Sequence, residues 1–132
     1  MSLTDPIADM LTKIRNSGRA KHANCQFHGS RVKKAILDIL KDEGFIADYQ
    51  ETVEKNKSNI QVNLKYDDTK KHVIKQIDRV SRPGRRVYLK GEEIKPVKSN
   101  LGISIISTSR GIVTNKKAMK LKIGGEVICV VS

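Results

Sequence analysis

An α+β fold is the reading this sequence supports: an N-terminal α-β-α-β-β lobe packed against a mainly β lobe with one short helix. Three observations point there. Apolar residues recur at helical spacing in two early segments, first Ile7, Met10, Leu11 and Ile14, then Val32, Ile36, Ile39 and Leu40. Next comes a clean alternation of Ile60, Val62 and Leu64 with Gln61, Asn63 and Lys65. Beyond it the chain breaks into short apolar runs punctuated by Pro-Gly and Gly-Gly. The lobes are taken as residues 1–67 and 68–132.

The first helix is expected over Leu3 to Ser17, with Thr4 or Asp5 as cap and Pro6 in the first turn, where its missing N–H costs nothing. Asn16, Ser17 and Gly18 should end it. His22 to Phe27 alternates weakly and reads as a strand. Ser30 caps a second helix, Arg31 to Glu43, which Gly44 terminates in the left-handed conformation. Phe45 to Val53 and Asn59 to Tyr66 form a hairpin around a polar turn, Glu54 to Ser58. Both helices then cover one face of a small sheet. Asp67 to Lys71 is polar and suits a connection between lobes.

In the second lobe, Ser81-Arg82-Pro83-Gly84 predicts a type II turn, with Gly84 supplying the positive φ. Arg85 to Leu89 follows as a strand. Val87 and Leu89 face one way; Arg86, Tyr88 and Lys90 face the other. Further strands are expected at Ile103–Ser107, Ile112–Thr114 and Glu126–Val131. Thr114 caps a short helix, Asn115 to Leu121, and Gly124-Gly125 turns the chain into the last strand.

Composition limits the function. Of 132 residues, 38% are hydrophobic and 4% aromatic, with no tryptophan, so the core is aliphatic. No apolar run approaches the ~20 residues that span a bilayer, and the acidic N-terminus is no secretory signal. Cys25 and Cys129 read as two buried thiols in a cytosolic protein rather than a disulfide. The net charge is +12. From Arg79 onward there are twelve Lys and Arg against three acids, so most of that charge belongs to the second lobe. A polyanionic partner is implied, nucleic acid before an anionic membrane. The alternative class, a basic protein-interaction or membrane-binding module, fits less well, because Asp5 and Asp9 occupy the polar side of the first helix.

Nothing argues for an enzyme. Cys25 and His28 have ligand spacing but no second pair, so no metal site is expected. There is no phosphate loop and no assembled catalytic grouping, and neither a cofactor nor a small-molecule substrate is expected. The conspicuous cluster is Ser107-Thr108-Ser109 within ISTSRGIVTN. An ordinary Ser/Thr-rich turn would explain it. Its place in the most cationic lobe favours a second role, since hydroxyls can bond phosphate, 2′-OH groups and base edges. Tyr88, flanked by Arg85, Arg86 and Lys90, could stack on a base, or could equally be a half-buried strand residue. Aromatics are too few and scattered for a base-stacking sheet.

Five segments carry a resemblance: TDPIADMLTKIRNS, KKAILDILKDEGFI, SRPGRRVY, GISIISTSRGIVTNKKA and GGEVICVV. In this order the chain resembles the family of bacterial small-subunit ribosomal protein eight over essentially its whole length. The segment ANCQFHGS, with His28 and Gly29, departs from the family pattern before the second helix. The resemblance implies two associated lobes and binding to the central domain of 16S rRNA early in subunit assembly. It also implies repression of the protein's own operon messenger, and ribosomal proteins five and twelve as neighbours in the cytoplasmic 30S subunit. Ser107, Thr108 and Ser109 then become direct RNA contacts. Gly124 and Glu126 would lie close to them, and Tyr88 and Arg86 would share the surface. Thr4, Asp5, Arg15, Lys33 and Lys34 would add contacts to a second RNA region. Glu126 should repel phosphate; its expected role is to orient the Ser and Thr hydroxyls.

Overall fold

The structure is a computed structural model that describes residues 5–97 and 102–132. It has three α-helices and two antiparallel sheets, the α+β class the sequence predicts. Contacts divide the chain into two compact units. One holds Asp9–Lys75; the other holds Gln76–Ser132 with the start of the chain up to Ala8.

Helix α1 spans Pro6–Arg19. Asp5 caps it, its Oδ1 accepting from the Ala8 N–H at 3.1 Å. Met10, Leu11 and Ile14 are its buried apolar stripe. The helix runs two residues past the expected end at Ser17. Gly18 does not stop it because it is buried against the His72 ring, where a side chain would overlap.

The remaining elements of this unit are β1 (Asn24–His28), α2 (Arg31–Asp42), β2 (Ile46–Glu54) and β3 (Lys57–Leu64). The strands form a sheet ordered β1-β3-β2. Ser30 caps α2 by accepting from the Lys33 N–H at 3.2 Å, and Gly44 follows its end at φ 79°. The unusual stretch before α2 is accommodated simply: Gly29 extends the pairing, its N–H donating to the Ser58 carbonyl at 3.0 Å.

The buried stripe of α2 differs from the one expected. Lys33, Ile36, Leu37 and Leu40 are buried, while Val32 is 40% exposed and Ile39 only half-buried. Ile36 and Leu40 hold their expected places, and Lys33 joins the stripe because its stem can cover apolar ground while its head finds a partner. That partner is the His28 carbonyl, 2.6 Å from Nζ.

On β3, Ile60, Val62 and Leu64 are buried and Gln61 and Asn63 are not, as alternation requires. The hairpin turn is tighter than expected. Glu54 pairs with Lys57, leaving only Lys55 and Asn56, at φ 50° and 65°. Two residues at positive φ suit the twist of the flanking strands. The segment 67–71 is no connection between units. It is a closed turn inside the first, with the Asp67 carboxylate accepting from the Thr69 and Lys71 N–H groups at 2.8 and 3.0 Å. Tyr66 bridges His72 beneath it.

The second unit contains β4 (Ile77–Arg79), β5 (Tyr88–Leu89), β6 (Ile103–Thr108), β7 (Gly111–Thr114), α3 (Asn115–Leu121) and β8 (Gly125–Val131). The sheet order is β4-β8-β6-β7, with β5 also paired to β8. Three-residue β4 is too short to show in the sequence pattern. Strand β5 is shorter than expected because Arg82 and Arg85 exchange both backbone hydrogen bonds, at 3.0 and 2.9 Å, across Pro83-Gly84. Gly84 is not at positive φ, so the turn is not type II. Helix α3 has the expected bounds and its Thr114 cap, which accepts from the Lys117 N–H at 3.2 Å. Ile94, Ile106, Val113, Ala118 and Val127 form one core cluster, with Val80 and Leu89 packed against it.

One irregularity controls what the sheet displays. In the β6–β8 pairing, Ile105 faces Cys129, but Ile106 faces Val127. Ile128 is the extra residue of a bulge. Strict alternation from Val131 and Cys129 would put Val127 on their face of the sheet. The bulge gives that position to Glu126 instead.

Candidate nucleic-acid interface

Cross-strand partners share a face of a sheet. Glu126 is paired with Tyr88 on β5 and with Ser107 on β6. Tyr88, Glu126 and Ser107 therefore form one row across three strands. The next row is Leu89, Gly125 and Thr108. Two glycines permit this closeness. A Cβ on Gly125 would overlap the Ser107 carbonyl oxygen, and one on Gly124 would overlap that of Leu89.

Beyond the rows is the β6–β7 hairpin tip. Thr108 pairs with Gly111, so only Ser109 and Arg110 turn the chain. The Thr108 hydroxyl is used inside the turn, donating to the Gly111 carbonyl at 2.7 Å and accepting from the Arg110 N–H at 3.1 Å. Ser109 is exposed and makes no side-chain hydrogen bond to another described residue. Of the three hydroxyls, Thr108 builds the tip and Ser109 is offered outward.

Tyr88 is 67% exposed, which decides between the two readings of it in favour of the open one. Arg86 is also exposed, and its Nη1 donates to Glu126 Oε2 at 3.1 Å. Glu126 does orient a hydroxyl, but not one of the cluster. The Ser81 Oγ donates to the same Oε2 at 2.7 Å. Ser81 is fully buried, and sequence reasoning placed it only at the start of a turn. Its one signal was position, a step before the Arg-Pro-Gly-Arg excursion. Lys116, Lys117 and Arg110 are exposed cations of the same unit. Asn115 is a buried strut, its Nδ2 donating to the Lys95 carbonyl at 3.1 Å.

The remaining expected contacts are those to a second RNA region. Thr4 lies outside the described residues. Asp5 has both oxygens engaged: Oδ1 caps α1, and Oδ2 accepts from Arg79 Nε at 3.0 Å. Arg15, Lys33 and Lys34 belong to the first unit. Arg15 is half-buried. Lys33 is buried, which lowers its pKa, with nearby Lys13 adding to the effect. Its ammonium is turned inward to His28, so its chemistry is structural. Lys34 is held by Glu51 at 3.2 Å; the Ser58 hydroxyl and Lys34 together keep that carboxyl below its usual range.

Among the described residues no group of His, Cys, Asp and Glu could hold a metal ion, and no helix is long and apolar enough to cross a membrane. Both cysteines are free and buried; burial pushes Cys129 up to about 12.

A basic α+β protein that displays a short polar row and a hydroxyl-bearing hairpin on its unit of higher net charge is suited to a polyanionic partner. The chain belongs to the ribosomal protein S8 family, whose model matches residues 5–132. It is 56% identical over 129 residues to the small ribosomal subunit protein uS8 of Leptospira biflexa, covering 98% of each chain. The protein of the same name from Sorangium cellulosum is 50% identical over 127 residues, 96% of this chain and 97% of the other. That of Geotalea daltonii is 49% identical over 131 residues, 99% of both.

Proposed function

We propose that the protein is a structural component of the small ribosomal subunit, in the cytoplasm, that binds the central domain of 16S rRNA during assembly. By the same surface it represses translation of its own operon messenger. Ribosomal proteins five and twelve are its expected neighbours. The observation that carries this reading is the juxtaposition of the Tyr88–Glu126–Ser107 row with the outward Ser109 hydroxyl, on the unit of higher net charge, twelve Lys and Arg against five acids. The cations supply attraction that is insensitive to sequence; the short polar groups supply geometry that a long lysine cannot. The family is ribosomal and not enzymatic.

Filter binding to a 16S central-domain fragment tests the reading. Ser109→Ala should weaken binding by ~1–3 kcal/mol, the cost of deleting one hydrogen-bonding group from a dehydrated interface. The dependence on salt should be unchanged, because no cation is removed. Wild-type affinity in this variant, or a changed salt slope at constant affinity, would refute the assignment.

A further inference from the structure

We infer that Ser81 is a positioning residue for the polar row: its buried hydroxyl fixes the Glu126 carboxylate and the start of β5 together, so that Tyr88, Glu126 and Ser107 align. The inference rests on the proposed RNA-binding role of that row.

A hydroxyl has one hydrogen to give and lone pairs to accept with. At Ser81 both capacities are used in a defined direction. The Val87 N–H can only donate, and it points to Ser81 Oγ at 3.1 Å. The Glu126 carboxylate accepts, and its Oε2 lies 2.7 Å from the same Oγ. The chain of hydrogen bonds therefore runs one way, from Val87 through Ser81 to Glu126, with Arg86 Nη1 donating to the same oxygen at 3.1 Å. Bonds in series polarise one another, and those to an ionised carboxylate are the strong ones.

The location gives this chain its consequence. Strands β4 and β5 use the same edge of β8 in succession. Between them the backbone leaves the ladder after Ser81, whose N–H still donates to the Val127 carbonyl at 3.1 Å. It returns at Val87, whose carbonyl accepts from the Val127 N–H at 2.9 Å. Everything from Arg82 to Arg86 is an excursion, and the Ser81 hydroxyl closes its base. The residue that follows the closure is Tyr88. Removing the hydroxyl orphans the Val87 N–H and frees the Glu126 carboxylate to swing toward Arg86 alone. Ser81 is fully buried and so acts on RNA only through these partners.

Ser81→Ala should weaken binding of the 16S central-domain fragment about tenfold, the scale of one charge-assisted hydrogen bond. A double-mutant cycle with Glu126→Gln separates positioning from mere stability. If Ser81 acts through Glu126, the two losses are strongly non-additive. In the free protein, NMR should show faster amide exchange at Val87 and a shifted Glu126 carboxyl resonance in Ser81→Ala, with distant first-unit amides unmoved. If the alanine variant does not fold, Ser81→Cys, of similar size but a weak donor, should give the same affinity loss. Additive losses, or a folded variant with wild-type affinity, overturn the inference. If wild-type protein fails to bind the RNA, the functional reading falls; an unmoved Glu126 signal in the free protein overturns the role of Ser81 by itself.

Discussion

Gly125→Ala tests the sheet geometry on which the row depends. The added methyl would overlap the Ser107 carbonyl oxygen and lie 2.9 Å from its carbon. Unstrained carbon pairs sit at about 3.5–4.0 Å, so β8 and β6 must part by roughly half an ångström or more. The obstacle is backbone, which cannot turn aside as a side chain can. Forced overpacking of this kind costs ~1–3 kcal/mol. For a chain of this size that corresponds to a fall of roughly 5–10 °C in melting temperature. The parting also pulls Ser107 from its partner Glu126, so RNA affinity should drop even well below the melting point, where the variant is folded. Circular dichroism melts and filter binding at low temperature measure the two effects separately. Unchanged melting together with unchanged affinity would refute the steric reasoning and the row with it.

Arg86→Ala should weaken RNA binding more than Arg85→Ala, since Arg86 shares the exposed face with Tyr88. Because Arg86 is already paired with Glu126, the salt slope should fall by less than the ~0.9 unit of an unpaired cation meeting a phosphate, read from affinity against salt. Burial holds the His72 pKa below its ordinary 6.5, and its Nε2 is buried without a partner. Between the folded and ordinary values the unfolded chain holds more protons, so stability falls as pH drops from about 7 toward 5. Urea titrations of His72→Phe should show that slope flattened, and a slope equal to wild type would contradict the assignment. Lys55 sits at φ 50° in the tight hairpin, a conformation asparagine tolerates better. Lys55→Asn should raise stability by about half a kcal/mol, measured as a higher urea midpoint.

Much of the fold was legible because periodicity reports burial directly. Helix α3, its Thr114 cap, the alternation on β3 and the Ser30 cap all stand where local chemistry put them. The failures came where a partner elsewhere in the chain overrides the local signal. Gly18 should end a helix, but His72 packs on it and α1 continues. Val32 and Ile39 should be buried, but a lysine that reaches a carbonyl takes their place. Val127, Ile128 and Cys129 read as a plain apolar run, and no pattern reveals that one of them is the extra residue of a bulge. At the candidate site the residue types were readable, and so was the sharing of one face by Arg86 and Tyr88. Ser81 was not, because a serine before a turn has an ordinary explanation and its partner lies 45 positions away.

The hairpin tip is two residues long and tied off by the Thr108 hydroxyl. Its ordering cost, about 1–2 kcal/mol per residue, has been met in folding and does not recur at encounter. If the tip contacts RNA as proposed, binding proceeds without a search through loop conformations. The rate of encounter is set by diffusion and by the field of the basic unit, which acts on every RNA alike. On that reading discrimination among RNAs is a matter of lifetime: right and wrong ligands arrive at similar rates, and the right one stays.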